Sequence, residues 1–392
     1  MATIQQTDAA RRSSSADERP RVSVVIPCLN EAESIERCVT AAYEALAQAN
    51  LAGEVIVVDN GSEDRSAEIA ERAGARVVHE PERGYGSAYL AGFDAARADY
   101  IVMIDADLTY DFGDIPRFVT ELDEGAELVM GDRMDNIKPG AMPWLHRYVG
   151  NPMLSGILNL FFHTGVRDAH CGMRAFRRAV LPQLDLRTTG MELASEMVIR
   201  AAKENLDIRQ IPIEYHPRAG ESKLSSFRDG WRHLRFLLIH QPTYLFLVPG
   251  AFMSLVGALI TLMVASQVHV LGRAWDIHTM IAGALLLIVG SQVLGLGLAA
   301  RAYGVYFMGE HDRLFEYLRA RVRLEHGLLV GAALIMLGVV FGGVIVYRWA
   351  ERGFGALSEA RLAVLAAAVM IVGIQVFFSS FLLSILGLRR RS

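Results

Sequence analysis

The sequence predicts an α/β domain on a mainly parallel central sheet, followed by an all-α membrane region of four helices. Three observations carry that expectation. Apolar runs alternate with helical patterns through the first half of the 392 residues, the rhythm of a sheet wrapped by helices. Four charge-free apolar stretches occupy residues 243–266, 278–300, 327–347 and 362–388, and a crossing helix needs about 20 apolar residues. In the polar half, Asp105-Ala106-Asp107 follows directly on an apolar strand pattern.

Averaged composition conceals this division, because 52% hydrophobic residues and a net charge of −4 blend two different materials. Basic residues gather around the apolar stretches rather than on one polar surface, so no nucleic-acid partner is expected. Cys28, Cys38 and Cys171 have no metal-type spacing and are too few for a disulfide framework, which suits a reducing cytosol. Residues 1–20 lack the apolar core of a secretory signal and read as a disordered tail.

The soluble part is expected over 21–222. Strand-like runs are Val22–Pro27, Glu54–Val58, Arg76–Val78 and Tyr100–Ile104, with helical patterns near 31–49, 64–73 and 86–97. Sheets of this kind bind ligands at the carboxyl ends of their strands, and the polar residues sit there. Pro27-Cys28-Leu29-Asn30-Glu31 follows the first run, Asp59-Asn60-Gly61-Ser62 the second, and Asp105-Ala106-Asp107 the fourth. Asp59 and Glu31 suit hydrogen bonds from a base or ribose; Asp59 equally suits capping a turn. Two carboxylates after a buried strand are costly unless neutralised, and a hard divalent cation shared with diphosphate oxygens, Mg²⁺ or Mn²⁺, does so. Gly84 and Gly86, in Arg83-Gly84-Tyr85-Gly86-Ser87-Ala88-Tyr89, fail as a dinucleotide fingerprint: Tyr89 holds the third glycine position and no direct strand-to-helix join is expected. They suit close backbone approach to a nucleotide or the start of a helix.

Beyond the soluble part, 223–242 reads as an interfacial amphipathic helix, with Phe227, Trp231, Leu234 and Leu238 on one face and Arg228, Arg232 and Arg235 on the other. The four spans fall within 243–388, the 301–326 loop repeats the amphipathic pattern, and 389–392 forms a basic tail. That loop carries five Lys or Arg against one in 267–277. The positive-inside rule then puts the soluble domain, the loop and the C-terminus in the cytoplasm, at a bacterial inner membrane or its equivalent.

Val24-Val25-Ile26-Pro27 with Asn30-Glu31, Val57-Val58-Asp59-Asn60-Gly61-Ser62, Gly84-Tyr85-Gly86 and Asp105-Ala106-Asp107 together resemble glycosyltransferase family 2, a GT-A fold family of inverting enzymes. Gly131-Asp132-Arg133, the segment from Asp168 to Phe176, and Gly220-Glu221-Ser222-Lys223-Leu224 resemble its polyprenyl-phosphate branch, which holds dolichyl-phosphate mannose synthases and bacterial polyprenyl-phosphate glucosyltransferases. The resemblance covers about residues 20–240. It implies that Pro27, Asn30, Glu31 and Asp59 line a nucleoside pocket, that Asp105 and Asp107 hold the metal, and that Arg133, Arg218, Ser222 and Lys223 receive the lipid phosphate. It also implies a nucleotide sugar as donor, UDP-glucose before GDP-mannose, and a polyprenyl phosphate as acceptor, and it leaves homo-oligomerisation open. Leu108 stands where many members carry a further polar residue. Asp168, Glu192 and Glu196 stay open between organising the acceptor loop and shaping the sugar pocket.

The acceptor phosphate is mostly dianionic at neutral pH, since its second pKa lies near 6, so no dedicated base is required. Arg133, Arg218 and Lys223 suit offsetting its repulsion from the donor, and Arg147 is a weaker candidate for that duty. His79, His163 and His170 suit packing or hydrogen bonding, because no His pair has helical ligand spacing. Two rivals remain at this stage. A processive polysaccharide synthase of the same fold usually carries Gln-x-x-Arg-Trp, which Asp229-Gly230-Trp231-Arg232-His233-Leu234-Arg235 lacks. A non-catalytic membrane scaffold would not need Asp105, Asp107 and Arg133 intact.

Overall fold

The computed structural model describes residues 19–218, 226–239, 241–267, 275–307, 315, 317, 321 and 324–387. They form two compact units, one up to Leu237 and one from Leu238 on.

In the first unit the chain runs β1 (Val22–Cys28), α1 (Ile35–Gln48), β2 (Gly53–Asp59), α2 (Ser66–Arg72), β3 (Arg76–His79), α3 (Tyr85–Ala95) and β4 (Tyr100–Met103). There follow α4 (Ile115–Asp123), β5 (Leu128–Asp132), α5 (Asn151–Phe162), β6 (Arg174–Arg177), the short α6 (Leu181–Leu184), α7 (Leu193–Lys203), β7 (Ile208–Pro212) and α8 (Ser226–Ile239). The seven strands form one sheet in the order β3-β2-β1-β4-β6-β5-β7. Every pairing is parallel except those of β6, which runs antiparallel to β4 and β5. All four expected strands are present within one residue at each end, and β1 and β2 are nearly continuous apolar runs because both sheet faces are covered. One core layer joins Val24, Ile26, Val55 and Val57 to Ile35, Val39 and Phe118; the other joins Val25, Ile56 and Val58 to Tyr89, Phe93 and Met197.

One detail of the sequence reading needs correction. The segment around Gly84 does join a strand to a helix, since β3 ends at His79 and α3 starts at Tyr85. What separates it from a dinucleotide fingerprint is its packing, described below.

Of the second unit, α9 (Val248–Ala265), preceded by a wide turn from Thr243, α10 (Ile277–Phe307), α11 (Leu324–Glu351) and α12 (Ala360–Leu386) are all long and apolar enough to cross a bilayer. Helix α10 continues to Phe307, past the expected boundary at residue 300. Arg301 ends the charge-free window but not the helix, because an arginine is a good helix former. Residues 301–307 therefore belong to the span helix, and most of the rest of the 301–326 loop lies outside the described residues. The terminal segments 1–18 and 388–392 also lie outside them.

Helices α9 and α10 meet backbone to backbone. A Cβ on Gly257 would stand 2.3 Å from the Leu287 nitrogen, and one on Gly290 would stand 2.4 Å from that of Ser254. Small residues at such contacts are how apolar helices associate where burial of hydrocarbon gives no drive. Ser291 also donates a hydrogen bond to Gln375 across α10 and α12.

Candidate active site

The carboxyl ends of β1, β2, β4 and β5 share one edge of the sheet. A cleft of about 1210 Å³ opens there, lined among others by Pro27, Glu31, Gly84, Asp105, Asp107, Arg133 and Arg218. Seven of the predicted site residues thus meet. Asn30, Asp59 and Gly86 stand beside the cleft rather than on its lining, and Ser222 and Lys223 lie outside the described residues.

Asp105 follows β4 and accepts hydrogen bonds from the hydroxyls of Tyr85 and Tyr89, each at 3.1 Å. Burial, and after it the charge of Asp107, pushes its carboxyl up to about 6. Asp107 accepts from the Thr109 hydroxyl at 2.6 Å and backbone N–H at 3.1 Å, which fixes its side chain at the loop start. The pair fits a divalent cation, because a dication would remove the repulsion that Asp105 now carries. Among the described residues no group of three or more His, Cys, Asp or Glu is placed to hold a metal. The remaining ligands would come from a diphosphate and water, as is usual for Mg²⁺.

Arg218 lies beside the same carboxylates. Its guanidinium reaches Asp107 at 3.4 Å, through Nε, and Glu31 at 3.6 Å, while among the described residues the buried Nε has no aligned hydrogen-bond acceptor. The ion pairs are within Coulombic range but poorly directed, so this donor is available to an anionic oxygen.

Arg133 is placed differently from a free phosphate ligand. It is buried and makes a bidentate pair with Asp168, at 2.6 Å from Nε and 2.9 Å from the second nitrogen. Its third nitrogen donates to the Tyr110 hydroxyl at 3.3 Å, and the Tyr215 ring stacks 4.9 Å away. The Asp168 carboxylate holds the guanidinium charged, and Arg133 in turn holds Asp168 below the usual carboxylate range against the cost of burial. Removing one partner of such a pair strands the other charge.

The nucleoside side of the cleft rests on turn chemistry. Asp59 accepts from the Ser62 N–H at 3.1 Å and sits 3.2 Å from His79. Asn30, at φ 53°, accepts from the Glu63 N–H at 2.7 Å. Asn60, which the sequence reading quotes only within Asp59-Asn60-Gly61-Ser62, donates to the carbonyls of Glu80 and Glu82 and accepts from the Gly84 N–H at 2.7 Å, which shapes the loop into α3. Gly84 and Gly86 admit a protein backbone. A Cβ on them would lie 2.2 Å from the Thr189 carbonyl oxygen and 2.1 Å from that of Thr188. The Ser87 N–H then donates to Thr189 at 3.1 Å, so the 188–190 segment covers the start of α3 and lines the cleft.

Glu196 organises that segment by accepting from the N–H groups of Arg187 and Thr188, whereas Glu192 lines the cleft. Arg174 is fully buried and donates to the carbonyls of Ala169, Cys171 and Ala194, tying the loop before β6 to α7. His170 lines the cleft edge-on to His233, 4.7 Å between rings, and among the described residues both its ring nitrogens lack hydrogen-bond partners; burial pushes it down to about 3. Among the described residues His170 therefore shows packing and no hydrogen bond. Helix α8 turns His233 and Leu237 inward, and its Arg232 and Arg235 line the cleft, a placement that amphipathic spacing alone did not reveal. The buried thiols of Cys28, Cys38 and Cys171 are pushed up to about 11, 12 and 12, which removes them as nucleophiles.

Comparison with known proteins fixes the family. Residues 23–185 match the description Glycosyl transferase family 2, and residues 298–387 match Glycosyltransferase family 2 C-terminal transmembrane region. Over 377 residues the chain is 42% identical to the low-salt glycan biosynthesis hexosyltransferase of Haloferax volcanii, covering 96% of this chain and 91% of that protein. The chain belongs to glycosyltransferase family 2. A dolichyl-phosphate hexose transferase of the same organism is 38% identical, over 45% of this chain and 76% of that protein. An undecaprenyl-phosphate 4-deoxy-4-formamido-L-arabinose transferase of Edwardsiella ictaluri is 29% identical, over 77% and 92%. The match is to the polyprenyl-phosphate branch of the family. The sheet is the GT-A arrangement, and the chain is a membrane glycosyltransferase with four apolar helices after its catalytic fold.

Proposed function

We propose that the chain moves one sugar, of the glucose or mannose class, from a UDP- or GDP-sugar to a polyprenyl phosphate at the cytoplasmic membrane face, with inversion. The observation that carries this reading is the convergence of Asp105, Asp107 and Arg218 on one cleft in a chain that also has four spans. A long prenyl chain does not leave the bilayer, since each buried CH₂ holds it by about 0.8 kcal/mol, so the site must come to the lipid.

Mg²⁺ or Mn²⁺ held by Asp105 and Asp107 would supply Lewis-acid relief of charge on the departing diphosphate. The base and ribose would lie against Pro27 and Glu31, with Asp59 and Asn30 holding the loops around them. Arg218 would turn its guanidinium from Asp107 to an acceptor phosphate oxygen and offset the repulsion between two anionic substrates. The Arg133–Asp168 pair fixes the wall on which Tyr110 and Tyr215 pack. Ser222 and Lys223 are proposed to complete the phosphate cradle. The phosphate oxygen attacks C1 from the side opposite the diphosphate; the new C1–O bond forms as the old one breaks, and no proton need be removed.

The test is to incubate membranes carrying the chain with each radiolabelled nucleotide sugar in turn and extract with organic solvent. One donor is expected to label an acid-labile lipid. Label confined to a non-extractable polymer, or to no product with any donor, overturns the reading.

A further inference from the structure

Tyr85 and Tyr89 of α3 stand one helical turn apart, so their side chains share a face. Both hydroxyls donate to the same oxygen of Asp105, Oδ1, each at 3.1 Å, and the rings meet edge to face at 4.8 Å. An ionised carboxylate oxygen has two lone pairs to give, so the two hydroxyls use up Oδ1. The second oxygen, Oδ2, accepts no hydrogen bond among the described residues. Beside it stands Gly172, where a Cβ would lie 2.3 Å away, so the glycine leaves that oxygen clear. Asp107 is arranged alike. Its Oδ1 takes the Thr109 hydroxyl and N–H, and its Oδ2 has only the long ion pair with Arg218 at 3.4 Å. Each carboxylate is tied by one oxygen and presents the other.

The tie on Asp105 is held from behind. Tyr89 is fully buried and stacks on Phe93 at 5.7 Å, and Phe93 meets Phe176 of β6 edge-on at 5.1 Å. Gly92 lets α3 close on the sheet, since a Cβ there would stand 2.3 Å from the Val25 Cγ1. A hydroxyl on a ring packed in this way cannot follow the carboxylate if it turns, so the helix sets the orientation of Asp105.

We propose that Tyr85 and Tyr89 are positioning residues that make Asp105 a one-oxygen ligand and thereby select Mg²⁺ or Mn²⁺ over Ca²⁺. The inference rests on Asp105 and Asp107 holding the cation and adds what tunes them. Ca²⁺ takes about six to eight oxygens and readily accepts a carboxylate by both of its own, whereas Mg²⁺ demands near-octahedral order and keeps water or phosphate oxygens among its ligands. Two carboxylates that give one oxygen each suit the second pattern. Release of Oδ1 would let Asp105 turn both oxygens to a cation, which serves the larger ion better. Hydrogen bonds behind a ligand tune metal affinity by about 10- to 100-fold.

In the experiment Mn²⁺ alone, without nucleotide, is titrated into the full chain in detergent micelles, and free Mn²⁺ is read from its paramagnetic resonance signal. Ca²⁺ is then added to displace it. Tyr85→Phe and Tyr89→Phe each remove one hydroxyl and no carbon. Tyr43→Phe on α1 is the control, because its hydroxyl donates to the Gly74 carbonyl at 2.8 Å and not to Asp105. The parent is expected to bind Mn²⁺ that Asp105→Asn loses. Each of the two α3 variants is expected to bind it about tenfold more weakly, and to release it at a lower ratio of Ca²⁺ to Mn²⁺ than the parent does, while Tyr43→Phe matches the parent. Unchanged Mn²⁺ affinity in either α3 variant overturns the proposal. Equal weakening for both ions overturns it too, as does equal weakening in Tyr43→Phe, which would mark a general loosening of the fold. If the parent and Asp105→Asn bind Mn²⁺ alike, the metal assignment itself falls and the proposal with it, so the two failures are told apart.

Discussion

The catalytic unit and the span bundle fix their parts by opposite means. In the cleft, position comes from polar groups: Glu196 holds the 187–188 backbone, Asn60 holds the 80–84 loop, and Arg133 closes on Asp168. In the bundle, position comes from the absence of side chains, with Gly257 and Gly290 letting α9 and α10 touch backbone to backbone. The difference follows from solvent. In water a hydrogen bond has direction and a modest net gain, whereas in hydrocarbon close packing must replace the missing hydrophobic drive. The first unit can therefore be disarmed without being unfolded, and the second unfolded without being disarmed.

Asp105→Asn should give the largest effect, a loss of transfer of roughly 10³-fold or more in membrane assays, with insertion unchanged. Its stability should move the other way. The folded carboxyl is raised from 3.8 to about 6, so its ionisation costs stability that is intact at low pH and lost as pH rises through 6. Without metal, Asp105→Asn should therefore melt higher than the parent above about pH 7, on the order of 1–3 kcal/mol, and little differently below about pH 4. Unchanged turnover, or a lower melting temperature at high pH, would break the comparison on its catalytic side.

Two glycine changes sharpen it. Gly84→Val forces the 188–190 segment away from α3 and should remove most turnover, because that segment lines the cleft. Gly257→Val forces α9 from α10 and should cost roughly 1–3 kcal/mol in thermal stability while turnover per folded molecule stays near parental. Melting curves and specific activity on the same preparations decide it, and identical behaviour of the two variants would erase the distinction.

Arg218→Ala should give the smallest of these effects. About a tenfold rise in KM for the lipid phosphate, with little change for the nucleotide sugar, matches the loss of one charge-assisted hydrogen bond. Equal change for both substrates would remove Arg218 from the acceptor side.

Much of this was readable before folding. Strand ends bearing Asp59 and Asp105 follow from apolar runs that stop at polar residues, and the spans follow from length and hydropathy alone. What stayed hidden are partners distant in sequence. The acid that would neutralise Arg133 lies 35 residues on, and the backbone that needs Gly84 and Gly86 comes about a hundred residues later. Helical spacing places Arg232 and Arg235 on the polar face of an amphipathic helix but not in the cleft, since periodicity reports a face and not what that face meets.

The touching backbones of α9 and α10 limit how lipid can travel. An isoprenoid tail is several ångströms thick, and where these two helices meet there is not room for a single methyl group. The proposed prenyl-linked product would have to skirt the outer surface of this pair, because the seam between the two helices is closed to it.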